Sequence, residues 1–388
     1  MLALGLDGKL QHFEVALERL DAAADLSIAC THRSYPLLDV PLHSRWRHFT
    51  VDGEDRWARI ERTSTWRDAA ERARAAFDLA IVSVLLDAGA DGRWRYRDVA
   101  TGKSFGRSEG LALASLEMFA AGTFSLDARR PLRVDAAALM AMSAATLGRY
   151  FQVSAANPLP TLAGRLRLLQ RLGQIVADHP DVFARADGPR PGGLFDYLVA
   201  GGVDPAIAAP RILAEILRQL GSIWPGRLAL AGVPLGDCWR HPALVTDDST
   251  SELVPLHKLS QWLAYSLIEP LQAAGVSVSD IDGLTGLAEY RNGGLLIDAG
   301  ALVLRDQAAA RIAHPVDATL VVEWRALTVA LLDRLAETVR QRLGLDAARL
   351  PLGKILQGGT WMAGRQAAAM LRADGAPPLS VLSDGTVF

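Results

Sequence analysis

Cysteine is nearly absent. Cys30 and Cys238 are the only two in 388 residues and stand far apart with no CxxC spacing, which excludes a disulfide scaffold or a cysteine-rich metal site and fits a reducing compartment. Net charge is nearly absent too: 41 Lys and Arg oppose 43 Asp and Glu, leaving -2. Non-specific attraction to nucleic acid or to an anionic membrane is therefore not expected. No stretch reaches the roughly 18 uninterrupted apolar residues of a membrane span, and no basic segment with a long apolar core follows Met1. We expect a cytoplasmic protein with neither membrane nor nucleic-acid partner. Charged residues are only 22% of the chain and hydrophobic ones 50%, a balance that favours extensive burial over disorder.

Strand signals are scarce, and most of the chain follows helical periodicity. The pattern predicts helices near residues 9–29, 67–88, 108–121, 135–151, 160–178, 204–221, 256–274, 318–343 and 361–373. Ser108 is expected to cap the helix that begins at Glu109, and Gly344 to end the long helix before it. Extended pieces are predicted at 43–49 and within 295–304, too few for a parallel α/β sheet. The fold expected is all-α with a minor β-hairpin. A Pro- and Gly-rich stretch, 184–193, suggests a boundary between a helical half at 1–183 and another at 194–388, with the site between them or the two merged into one domain.

Several motif fragments fail on context. Gly106-Arg-Ser108-Glu-Gly110 has the G-x-S-x-G spacing of a nucleophile elbow, but no buried apolar strand precedes it. Gly102-Lys-Ser104 ends like a phosphate-binding loop, yet Arg97 occupies the position of the required glycine. His43 and His48 lack the helical i, i+4 spacing of a zinc pair, and no HExxH occurs. We expect neither metal nor cofactor.

Other constellations have chemical promise. An extended 43–49 segment would put His43, Arg45 and Arg47 on one side, a cationic fork suited to phosphate or carboxylate, though surface ion pairs give the same pattern. In the 256–274 helix, Leu256, Leu259, Leu263, Leu267 and Leu271 form one stripe, and Lys258, Gln261, Tyr265 and Glu269 the other. Trp262 and Ile268 flank the polar stripe, so it suits a pocket wall as well as a solvated face. The run Thr319 to Leu332 is apolar all round and still contains Glu323 and Arg325. Two residues apart, these cannot pair within one helix, so each needs a partner from elsewhere, in a structural pair or in a site. Glu289, Arg291 and Asn292 precede a Gly-Gly turn, with Asp298 beyond it, and Asp87 closes the apolar run 81–86. Glu289 or Asp298 could face a developing positive charge, or sit in an ordinary turn. The loop 234–251, with Asp237, Asp247 and Asp248, is a further site-loop candidate.

In order along the chain, the segments 43–49, Leu85-Leu-Asp-Ala-Gly89, Trp94-Arg-Tyr96, 105–111, His257 to Trp262, Leu284 to Gly294, Val322 to Leu327, Gly358-Gly-Thr-Trp361 and 383–388 resemble the uracil-catabolism family of the URC pathway, a domain-of-unknown-function family. A more distant resemblance is to queuosine-nucleotide N-glycohydrolases, helical proteins similar to DNA glycosylases. Lys258 and Gln261 stand where that family has Lys-x-Ala-Gln, and Glu289-Tyr-Arg291 where it has Asp-Tyr-Arg. Together these resemblances imply hydrolysis of the N-glycosidic bond of ribosylurea or its 5′-phosphate, a ring-opened pyrimidine nucleoside or nucleotide, and contact with other uracil-catabolism enzymes. They imply Glu289 as the catalytic carboxylate, with Glu323 and Asp87 assisting. Arg291, Lys258, Gln261, Asp298, His43, Arg45 and Arg47 would bind the substrate. The alternatives are an amidase or ureidase on a ring-opened intermediate, a non-catalytic binding subunit and, more remotely, a serine hydrolase built on Ser108.

Overall fold

The computed structural model describes residues 1–87, 93–200, 206–224 and 227–382. The predicted starts and ends of helices at 88 and 204, and the segments containing Gly89 and 383–388, lie outside the described residues. The fold is mainly helical, and among the described residues every sheet has two strands. Its described residues divide into two compact units, each assembled from separated stretches: 1–43, 227–261 and 281–382 in the first; 44–224 and 262–280 in the second.

The first unit is built around the helix Thr319–Leu343, which starts and stops as its sequence predicts and ends on Gly344 in the left-handed region, φ 64°. Its first half is buried on all sides, as an apolar-all-round run requires. The helices Tyr290–Asp298 and Trp361–Leu371 approach each other closely because Gly364 has no side chain: a Cβ there would lie 2.2 Å from the Arg291 carbonyl oxygen. A Cβ on Gly293 would lie 2.6 Å from Trp324 Nε1. Leu356–Thr360 forms a π-helical turn entering the 361–371 helix, an irregularity that recurs at functional sites.

Several local expectations give way to tertiary contacts here. Residues 9–29 are not one helix, because Phe13–Val15 pairs antiparallel with Leu302–Leu304 and the helix begins only at Leu20. The predicted extended piece within 295–304 is a helix as far as Asp298, with a strand from Leu302.

In the second unit, the helices Ala69–Leu85, Arg107–Ala120 and Leu162–Asp178 lie where periodicity puts them. The predicted 135–151 helix is broken into Ala136–Met140 and Ala144–Tyr150, since the Ser143 side chain accepts from Thr146 N–H and starts a new helix. Ser108 is not a cap: the helix begins at Arg107, and Ser108 Oγ instead donates to Asp87 at 3.0 Å. The 43–49 segment is not a strand either, because Arg45–Phe49 is a 3₁₀ turn. Alternation of faces therefore does not bring His43, Arg45 and Arg47 together. The 184–193 stretch lies inside this unit, where buried Arg190 pairs with Asp78 and Glu71 and Gly192 N–H donates to Asp78.

The helix Lys258–Ala273 contributes its first turn to the first unit and residues 262–273 to the second. Pro270 lies in its interior and has no N–H to offer the Ser266 carbonyl four residues back. The indole N–H of Trp46 donates to that oxygen at 2.7 Å, and Ser266 Oγ accepts from Arg45 N–H.

Replacing Gly364 with alanine should cost about 1–3 kcal/mol, the usual range for overpacking, as the 290–298 helix is forced away from its neighbour. Chemical denaturation of Gly364→Ala against the parent protein measures this.

Candidate active site around Glu289

Glu289 is the N-cap of the Tyr290–Asp298 helix. Its carboxylate accepts from Asn292 N–H at 2.8 Å and from Arg291 N–H at 3.1 Å, taking up two of the amide donors that a helix start leaves unpaired. Burial pushes its pKa above the usual glutamate value, while the positive charges of Lys258 and Arg291 and the two amide donors pull the other way without cancelling the rise. A buried carboxyl with a raised pKa is the kind of group suited to acid–base work.

The surroundings of Glu289 are held by one buried ion pair. Arg325, on the 319–343 helix, donates to both carboxylate oxygens of Asp237 at 2.8 Å, a bidentate pairing. Asp237 also accepts from Lys258 N–H at 2.9 Å and from Trp239 Nε1 at 2.6 Å. Its backbone carbonyl receives the N–H groups of Leu256 and His257. On the other side, Arg325 Nε donates to the carbonyl of Ala288, directly before Glu289. A single pair thus places the segment carrying Lys258 and the segment carrying Glu289. Burial alone would push Asp237 up, but Arg325 and the donated hydrogen bonds carry it below the ordinary aspartate range. Between them, His257 is held at φ 45°, a left-handed conformation for a residue with a Cβ.

Gln261, at the end of the first turn of its helix, accepts from Thr285 N–H at 3.2 Å and ties that turn to the loop leading to Glu289. Asn292 donates to the Leu287 carbonyl and accepts from Thr360 Oγ1 at 2.8 Å, joining the Glu289 helix to the π-helical turn. The Arg291 guanidinium lies against the rings of Tyr290 and Trp361. His43 stands 6.2 Å from the Trp361 ring and is hydrogen-bonded through Nδ1 to Gln357 at 2.9 Å.

The first unit therefore brings Glu289, Arg291, Lys258, Gln261 and His43 into one connected neighbourhood. The remaining candidates are engaged elsewhere. Glu323 is fully buried and accepts from the N–H groups of His12 and Phe13 at 3.1 and 2.8 Å, with His241 Nε2 at 3.3 Å. Its partners come from outside its own helix, and they fasten the 13–15 strand to it. Asp298, at the far end of the Glu289 helix, about 13 Å along the axis at 1.5 Å per residue, is clamped by Arg372 through two hydrogen bonds. In the second unit, Arg45 is sealed in a pair with Asp87 at 2.5 Å and also donates to Ser83. Arg47 pairs with Glu269. Glu269 lines a cavity of about 320 Å³ together with Trp46, Trp57 and Arg72, so this end of the polar stripe does border a pocket, while Tyr265 is buried in the core.

Sequence reading treated Asp237 only as one of three acids in a loop and gave no role to Asn292, Thr360 or Gln357. Their signals were present: an acid in the loop that leads into a helix, and a Gly-Gly pair that softens a helix. Neither identifies a partner without the fold.

A mainly helical protein with a buried, helix-capping carboxylate beside a lysine and an arginine is the class these features define. The chain belongs to the family described as protein of unknown function (DUF1688), whose model matches residues 1–388. It is similar to "Uracil catabolism protein 4" of Lachancea kluyveri, 37% identical over 415 residues that cover 98% of this chain and 93% of the relative. It is also similar to "Protein urg3" of Schizosaccharomyces pombe, 39% identical over 358 residues, with coverage of 90% and 84%.

Replacing Asp237 with alanine leaves Arg325 buried without its counter-charge and should cost about 3–5 kcal/mol. Urea denaturation of Asp237→Ala should show a midpoint well below that of the parent; an unchanged midpoint would remove this pair from its organising role.

Proposed function

We propose that this protein acts in uracil catabolism by hydrolysing the N-glycosidic bond of ribosylurea or its 5′-phosphate, releasing urea and the sugar. The observation that carries the reading is the buried Glu289 carboxyl at a helix start, with Lys258 acting on it electrostatically. The name of the Lachancea kluyveri relative supports the metabolic setting.

Breaking such a bond passes through an oxocarbenium-like transition state at the anomeric carbon. The ionised Glu289 faces that developing charge and takes a proton from the attacking water as the new C–O bond forms. The departing urea nitrogen takes up this proton as the C–N bond breaks, so one water is consumed and Glu289 returns to its starting form. Lys258 favours the ionised carboxylate at rest, and the amides of Arg291 and Asn292 hold its orientation. Gln261 and His43 are the polar side chains of this neighbourhood that suit the sugar hydroxyls.

The test is incubation with ribosylurea and with its 5′-phosphate, measuring urea and reducing sugar in parallel. Equal release of both products is expected. Ammonia without free sugar would instead mark an amidase or ureidase, and binding without turnover a carrier subunit. Glu289→Gln should lower kcat by about 10²–10⁴, the usual span for a general acid–base group, with the fold unchanged by circular dichroism.

The pH profile follows from the direction of the shift. Since the carboxylate must be ionised and burial raises its pKa, activity should rise with pH through a limb lying above the usual glutamate value of 4.5. That limb should vanish in the residual activity of Glu289→Gln.

A further inference from the structure

Arg325, Arg372, Arg45 and Arg47 each face a carboxylate, namely Asp237, Asp298, Asp87 and Glu269. Arg291 faces none. It is only 9% exposed, yet among the described residues its guanidinium has no hydrogen-bond acceptor and no ion-pair partner. Its Nε is sealed from solvent without one. Its neighbours are aromatic: Cζ lies 5.1 Å from the centre of the Tyr290 ring and 5.7 Å from that of Trp361.

Contact with ring faces stabilises a cation but does not satisfy the in-plane N–H donors, which are arranged as a fork for two oxygens. Glu289 is the nearby acid, and its oxygens are turned to the backbone amides of Arg291 and Asn292. Lys258 adds a second positive charge close enough to act on Glu289. A nearly buried guanidinium whose N–H fork meets no acceptor among the described residues is costly. That cost is removed when a ligand brings an anion to the fork.

We propose that Arg291 is the anchor for a phosphate monoester, so that the substrate is the 5′-phosphate of the ribosyl compound and not the free nucleoside. The identity of the sugar rests on the hydrolase reading above; the need for an anion rests on Arg291 itself. Ribosylurea has hydroxyls and ureido groups but no ionised group, so only its phosphorylated form supplies oxygens that carry charge to the fork.

The test is isothermal titration of the full chain with ribose and with ribose 5-phosphate. Ribose 5-phosphate should bind about 10- to 100-fold more tightly, the contribution of hydrogen bonds to a charged group. Arg291→Gln should abolish the preference, and Arg291→Lys should restore part of it by returning the charge without the fork. Because the comparison of the two sugars on the unaltered protein needs no variant, a folding defect in either variant does not decide the outcome. Equal binding of the two sugars, or a preference that survives in folded Arg291→Gln, would overturn the anchor.

The two readings fail separately. Phosphate preference that depends on Arg291, with no urea released from either compound, upholds the anchor and overturns the hydrolase. Urea released from both compounds with equal kcat/KM overturns the anchor and upholds the hydrolase.

Discussion

The ion pair between Asp237 and Arg325 is the constraint on which the first unit's site depends. Each partner is nearly buried and would be expensive alone, so neither can be shifted without exposing the other's cost. The pair is also a junction. Asp237 receives the backbone of residues 256–258, and Arg325 holds the carbonyl of Ala288. Lys258 and Glu289, 31 residues apart in sequence, are thereby brought into mutual electrostatic range, because the two segments that carry them are bonded to opposite ends of one pair.

The same solution to buried charge recurs elsewhere. Asp78 with Arg190, and Asp87 with Arg45, are sealed pairs whose carboxylate oxygens also accept from backbone N–H groups or a serine hydroxyl. Glu323 follows the rule with backbone donors in place of a cation, taking two N–H groups at the start of the 13–15 strand. In each case a polar group inside an apolar element fastens a distant stretch of chain to it. This explains why a sequence so rich in hydrophobic residues still puts many arginines in its interior. It also gives Arg291 its significance, since this guanidinium is nearly buried and, among the described residues, lies against aromatic rings without a hydrogen-bond acceptor.

Much of the helical framework was legible. The 69–85, 107–120, 162–178, 258–273 and 319–343 helices follow from periodicity, and Gly344 from its terminating role. The need of Glu323 and Arg325 for outside partners could be read from their spacing. What could not be read was the identity of those partners. His12, Phe13, His241 and Asp237 lie between 82 and 311 residues away, and no local pattern encodes a contact at such range. The cationic fork failed for a related reason. Alternation holds only if 43–49 is extended, and the contacts of Trp46 and Arg45 with Ser266 wind it into a 3₁₀ turn.

By itself the sequence determined the mainly helical class, the lack of a disulfide scaffold or cysteine-rich metal site, and the candidate standing of Glu289, Arg291 and Lys258. These depend on composition, periodicity and short motifs, which are properties of neighbouring residues. Only the tertiary structure decided which charges are used up. Arg45, Arg47, Asp87 and Asp298 have the same chemical character as the residues around Glu289, but the fold gives each a partner and, among the described residues, gives the Arg291 guanidinium no hydrogen-bonded one. Pairing is a matter of distance in space, and hydrogen-bonded ion pairs form over a few ångströms whatever the separation along the chain.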